Sequence, residues 1–157
     1  MESKFLLPNK FKMVGLIMFI PSAILGILSM MNITYSIDIT VFKIWTGNVL
    51  KDPTRFFIFQ KEDFYNELLA ILIIISLSLI AFSREKLEDE YINKIRLDSL
   101  LWAVIANYLL LMLTIIFIYG DPYFTILIYN MFTVLILFVA RFNFILYLNR
   151  KQFNNEK

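Results

Sequence analysis

The stretch LDSLLWAVIANYLLLMLTIIFIYGDPYFTILIYNMFTVLILFVARFNFILYL, residues 97–148, decides the fold. It holds two apolar runs, 97–119 and 122–148, hinged on Gly120-Asp121-Pro122. A helix that crosses a bilayer needs about 20 mostly apolar residues, because the hydrocarbon core is about 30 Å thick. Both runs reach that length. Hydrocarbon offers no partner to a free backbone N–H or C=O, so such runs fold as helices. The short break makes the two helices antiparallel neighbours. Asp121 can cap the second one, with Pro122 at its first helical position.

Two further runs of the same kind lie upstream, at 13–31 and 64–83. The whole chain of 157 residues is 59% hydrophobic and 18% charged, with a mean hydropathy of +0.70. A soluble domain is about 45–50% apolar. The expected fold is therefore mainly α, an integral membrane four-helix bundle forming a single membrane domain over 1–157. The run 13–31 follows Lys4, Lys10 and Lys12, as a signal peptide would. It is longer than an h-region of about 7–15 residues, and no small-x-small cleavage site follows, so it reads as a retained span.

Composition also excludes whole classes of chemistry. The chain has no cysteine and no histidine. Coordination by either residue, a histidine-based triad and a cysteine nucleophile are ruled out. A net charge of +2 with no basic stripe argues against nucleic acid as a partner. No catalytic constellation, metal site or cofactor is expected, and the chain reads as a non-enzyme.

Lysine and arginine counts set the expected orientation. Eleven basic residues fall in the N-terminal tail, the connection between the second and third runs, and the C-terminal end, against four (Lys43, Lys51, Arg55 and Lys61) between the first two runs. Both termini are thus expected in the cytoplasm of a bacterial inner membrane. Tyr119 and Tyr123 would sit at the outer headgroup layer, and Trp102 and Tyr147 at the inner one, where amphipathic rings are favoured.

The outer loop, 32–63, is too long for a bare turn. Residues Ile33 to Val41 alternate apolar and polar with period 2, a half-buried strand signal. Arg55 to Gln60 is the second candidate strand, and Gly47, Asn48, Asp52 and Pro53 between them favour turns. A small β-hairpin is expected here. It either caps the helices or presents an external binding surface.

On the cytoplasmic side, SREKLEDEYINKIR (residues 83–96) is the most polar stretch. Ser83 can N-cap a helix, acids fill its first turns, and Glu90 and Lys94 form a favourable i,i+4 pair. A helix starting near Arg84 would extend the third span as a cytoplasmic projection over 84–96. Arg84, Glu85, Glu88, Asp89 and Glu90 are the candidate partner-docking residues. Two other readings stay open: a solvated, salt-bridged face, or a Mg²⁺ or Ca²⁺ site at Glu85, Glu88 and Asp89. Arg84, Lys86 and Lys94 would compete with such a metal.

Polar residues inside the spans are few. Arg141 lies 18 residues after Tyr123, about 27 Å along a helix, which puts it at the inner headgroup layer. There it is expected to pair with Asp98, an anionic lipid headgroup being the other reading. Asn107 and Asn130 lie 13 residues before and 10 after Gly120. That is within about one turn in depth, so a hydrogen bond between the two helices is expected. Pro21 is expected to kink the first span, and Ser22 and Gly26 have the small-xxx-small spacing of close helix packing.

The runs AFSREKLEDEYINKIRLDSLLWAVIANY (81–108), YNMFTVLILFVARFNFILY (129–147) and PSAILGI (21–27) resemble an uncharacterised family of small four-span inner-membrane proteins of Bacteroidetes. The resemblance covers most of the chain, the outer loop least. It implies bacterial inner-membrane residence, and it implies neither a mechanism nor residue roles.

Three functions compete at this point. The first is a non-enzymatic regulatory or interaction module that offers the charged segment to a cytoplasmic or membrane protein partner. The second is a small transporter or channel working as a homo-oligomer, although a proton-coupled exporter would want a mid-membrane carboxylate. The third, a lipid-modifying enzyme, would have to rest its chemistry on interfacial acids alone.

Overall fold

The computed structural model describes residues 6–31, 35–46, 55–86 and 89–155. It is mainly helical. The elements run α1 (Lys10–Met30), β1 (Asp38–Thr46), β2 (Arg55–Asp63), α2 (Tyr65–Ala81), α3 (Glu90–Phe117) and α4 (Asp121–Asn155). The two strands form one antiparallel sheet. Among the described residues three segments are long and apolar enough to cross a membrane: Lys10–Met30, Glu90–Phe117 and Asp121–Asn149. Helix α2 is apolar but has 17 residues, about 25 Å at 1.5 Å per residue.

The chain divides into two compact units. One comprises Met1–Phe19 and Ile73–Lys157, the other Ile20–Leu72.

The first unit is built on the α3–α4 hairpin. Gly120 makes the turn at φ +77°, a conformation that a residue without Cβ adopts at little cost. Pairs across the hairpin show the antiparallel course: Asn107 with Asn130, Trp102 with Arg141, and Tyr91 with Asn149. On α3 the buried residues Ile95, Ser99, Ala103 and Asn107 recur at steps of four. That spacing lines one helix face. Ile95 and Ala103 pack with Ala81 and with Phe138, Phe142 and Leu146 of α4. The small side chains at 99 and 103 leave room for the Phe138 and Phe142 rings, which stack at 5.9 Å. In the same unit Gly15 of α1 meets α2 closely. A Cβ there would lie 2.8 Å from the Ser76 carbonyl oxygen and 2.9 Å from Ile80 Cγ1.

Two expectations are corrected here. The third helix begins at Glu90 and not at Arg84, and its N-cap is Asp89, whose carboxylate accepts from the Ile92 N–H at 2.8 Å. Ser83 instead closes α2, its hydroxyl donating to the Leu79 carbonyl. The reason is a non-local backbone pairing. Leu7 N–H donates to Phe82 O, and Arg84 N–H donates to Leu7 O, both at 2.8 Å. This parallel bridge holds the backbone around Ser83 extended, which excludes the helical φ/ψ of a first turn there, and the Ser83 carbonyl accepts from Arg96 instead. Among the described residues of the expected cytoplasmic extension 84–96, the helix starts at residue 90.

The second unit contains the sheet. The register pairs Asp38 with Asp63, Phe42 with Phe59 and Thr46 with Arg55. The first strand therefore starts later than Ile33 and runs past Val41, while the second strand continues past Gln60. Lys43 and Glu62 form an ion pair across the strands. Asp63 then joins the sheet to α2, accepting from the N–H groups of Ile37 and Tyr65 at 3.0 Å each. Those two bonds hold its carboxyl below the ordinary 3.8, the slight desolvation acting the other way. Elsewhere in this unit Ser29 donates to Asn66 at 2.7 Å. Helix α1 runs unbroken through Pro21, and Ser22 is buried. The expected turn residues Gly47, Asn48, Asp52 and Pro53 lie outside the described residues.

Candidate functional site

The densest polar cluster of the first unit surrounds Glu85. The Leu7 bridge holds residues 82–84 extended against the N-terminal segment, and this turns Glu85 inward. Its side chain is 5% exposed and is paired with the Lys12 ammonium. Lys12 also donates to Asn143 Oδ1 at 2.9 Å, and Asn143 Nδ2 donates to the Val139 carbonyl at 2.8 Å. Asn9 donates to the Arg84 carbonyl at 2.7 Å. Arg96 donates to the Ser83 carbonyl at 3.2 Å and lies over the Phe142 ring at 5.1 Å. One network thus joins the N-terminal segment, the α2–α3 connection, α3 and α4. A buried carboxylate costs several kcal/mol unless its charge is matched and its lone pairs are used. Lys12 supplies that match.

The five candidate docking residues therefore part company. Glu85 is withdrawn into the network. Arg84 is half-buried, Asp89 is bound up in the α3 cap, and Glu90 is exposed on the first helical turn. Glu88 lies outside the described residues. Among the described residues, no group of three or more acidic side chains converges as a metal site would require.

Of the two polar pairs expected in the apolar helices, one forms. Asn107 and Asn130 exchange two hydrogen bonds, of 3.0 and 3.4 Å, with Asn107 buried. Asp98 and Arg141 do not pair. The Arg141 guanidinium lies over the Trp102 ring at 4.7 Å instead, and Asp98 is exposed. A planar cation gains from the electron-rich face of an indole.

Lys12, Asn9, Asn143 and Arg96 were not among the expected site residues. Asn143 carried a readable signal, since it is an amide inside an apolar run, just as Asn107 and Asn130 are. Lys12 carried none, because a lysine ahead of a span is read as a topology charge. In comparisons with family models, curated proteins and solved structures, nothing matches this chain.

Proposed function

We propose that this chain is a multi-pass protein of the bacterial inner membrane, with four crossings packed as a helix bundle and both termini in the cytoplasm. In this reading it acts as a non-enzymatic interaction module for a cytoplasmic or membrane protein partner. The observation that carries the membrane assignment is the apolar surface of the long helices. Ile17, Ile105, Tyr108, Phe117 and Ile128 are each more than 60% exposed. In each of the three long helices, 11% of the apolar run is buried inside the protein. Contiguous exposed apolar surface on that scale needs lipid or a partner around it. Helix α2, at 25 Å or so, crosses with modest thinning of the bilayer.

The interaction role rests on the first turns of α3. Glu90, Tyr91 and Lys94 are exposed there on a capped helix, whose base is fixed by Arg96 and the buried Lys12–Glu85 pair. An ordered charged surface at the end of a membrane helix suits docking better than a loop that must be ordered on binding. The test is affinity purification of tagged full-length protein in mild detergent, read by mass spectrometry. A stoichiometric partner that is lost in the Glu90→Lys, Lys94→Glu double variant is expected. A homo-oligomer with the same composition in both forms would favour the transporter or channel reading.

A further inference from the structure

A groove of about 620 Å³ runs along the α3–α4 face beside Arg141, lined by Trp102, Leu137, Ala140, Arg141, Phe144 and Ile145. Five of these six side chains are apolar or aromatic, and Arg141 is the one formal charge. Among the described residues Arg141 has no hydrogen bond and no ion pair; its recorded contact is the indole of Trp102, 4.7 Å from the ring centre. Stacking on an aromatic face fixes the plane of a guanidinium and leaves its N–H groups at the rim. A planar fork held this way matches two oxygens of a phosphodiester. Within the membrane reading above, Arg141 stands about 27 Å along α4 from Tyr123, at the inner headgroup layer.

We propose that this groove is a binding site for one anionic phospholipid of the inner leaflet, with its phosphodiester on Arg141 and an acyl chain along Leu137, Phe144 and Ile145. The proposal rests on the membrane reading. Charge complementarity selects the headgroup, because an unmatched arginine at a headgroup layer favours a lipid of net negative charge. The lining selects a lipid over free phosphate. Phosphate would use Arg141 alone and leave the apolar length of the groove unused, whereas a phospholipid covers both. Asp98 lies one turn before Trp102 on α3 and is exposed. It carries the same sign as the headgroup and limits the affinity.

Trp102 makes the site directly readable. In a Trp45→Phe background it is the sole tryptophan, and a bromine-labelled acyl chain lying in the groove quenches its fluorescence. Detergent-solubilised full-length protein is titrated with dibrominated phosphatidylglycerol or with phosphatidylcholine carrying the same chains. Saturable quenching is expected at about fivefold lower phosphatidylglycerol concentration, the effect of one arginine near a charged headgroup. Arg141→Gln is expected to remove that preference and Arg141→Lys to keep it, so a folding defect is not mistaken for a lost site. Equal quenching by the two lipids in the parent protein would overturn the site. So would displacement of phosphatidylglycerol by millimolar inorganic phosphate. Carbonate extraction of native membranes separates the two levels. Protein that stays with the membrane while showing no lipid preference loses this site alone, and protein released by carbonate loses the membrane reading and the site together.

Discussion

Glu85 and Lys12 show how one residue's setting can reverse its apparent role. In a run of acids and bases, Glu85 has the look of a solvated surface charge, yet its side chain is 5% exposed and tied to Lys12. Removing one member of a buried pair leaves an unmatched charge, which costs more than the pair itself contributes. Lys12→Met is expected to destabilise by about 3 kcal/mol, the low end for breaking a buried pair, because Lys12 keeps some solvent contact. Lys12→Met with Glu85→Leu is expected to recover most of that loss. Melting temperatures in one detergent check both. Asp63 is the other residue with a definite prediction. Its carboxyl is held below the ordinary 3.8 by the Ile37 and Tyr65 N–H groups. A depressed acid contributes its stability above its unfolded value and loses it as pH falls through the folded one. The protection factors of the Ile37 and Tyr65 amides, taken against intrinsic exchange at each pH, are thus expected to fall below about pH 4, and Asp63→Asn should abolish that acid-side change.

At the scale of elements, what could be read early was what depends on nearby residues. Gly120, Asp121 and Pro122 announce a tight turn between two apolar runs, and Asn107 and Asn130 then meet by counting outward from it. Their paired amides are expected to couple by about 0.6–2 kcal/mol. A double-mutant cycle with Asn107→Leu and Asn130→Leu measures the coupling, and additive losses would mean that each amide acts alone. The start of α3 was misread because Ser83 satisfies the local rule for a cap. The competing claim on it comes from Leu7, 76 positions earlier, and local patterns do not register such pairings. The sheet was legible as a hairpin but not in its limits. Alternation fails where Val41 and Phe42 stand side by side, while the ladder continues through Phe42, which is exposed, to Trp45 and Thr46. Pattern reading assumes that the apolar face is the buried one. The Arg141–Trp102 contact is not legible in the same way, since charge signs along a sequence suggest ion pairs and carry no sign of ring stacking.

At the scale of the whole molecule, three helices among the described residues meet the length and composition of a membrane crossing, and α2, at 17 residues, is the short one. The topology turns on it. With α2 across the membrane, the basic residues of 84–96 return to the side of the N-terminal lysines; without it, the two basic groups fall on opposite sides, and one half of the chain opposes the orientation its charges favour. The most direct test is a set of alkaline phosphatase fusions after Asn48, Asn93, Gly120 and Lys157, a reporter active only outside the cytoplasm. Activity is expected after Asn48 and Gly120 and absent after Asn93 and Lys157. Equal activity after Asn48 and Asn93 would show that α2 does not cross, and would contradict the four-crossing topology.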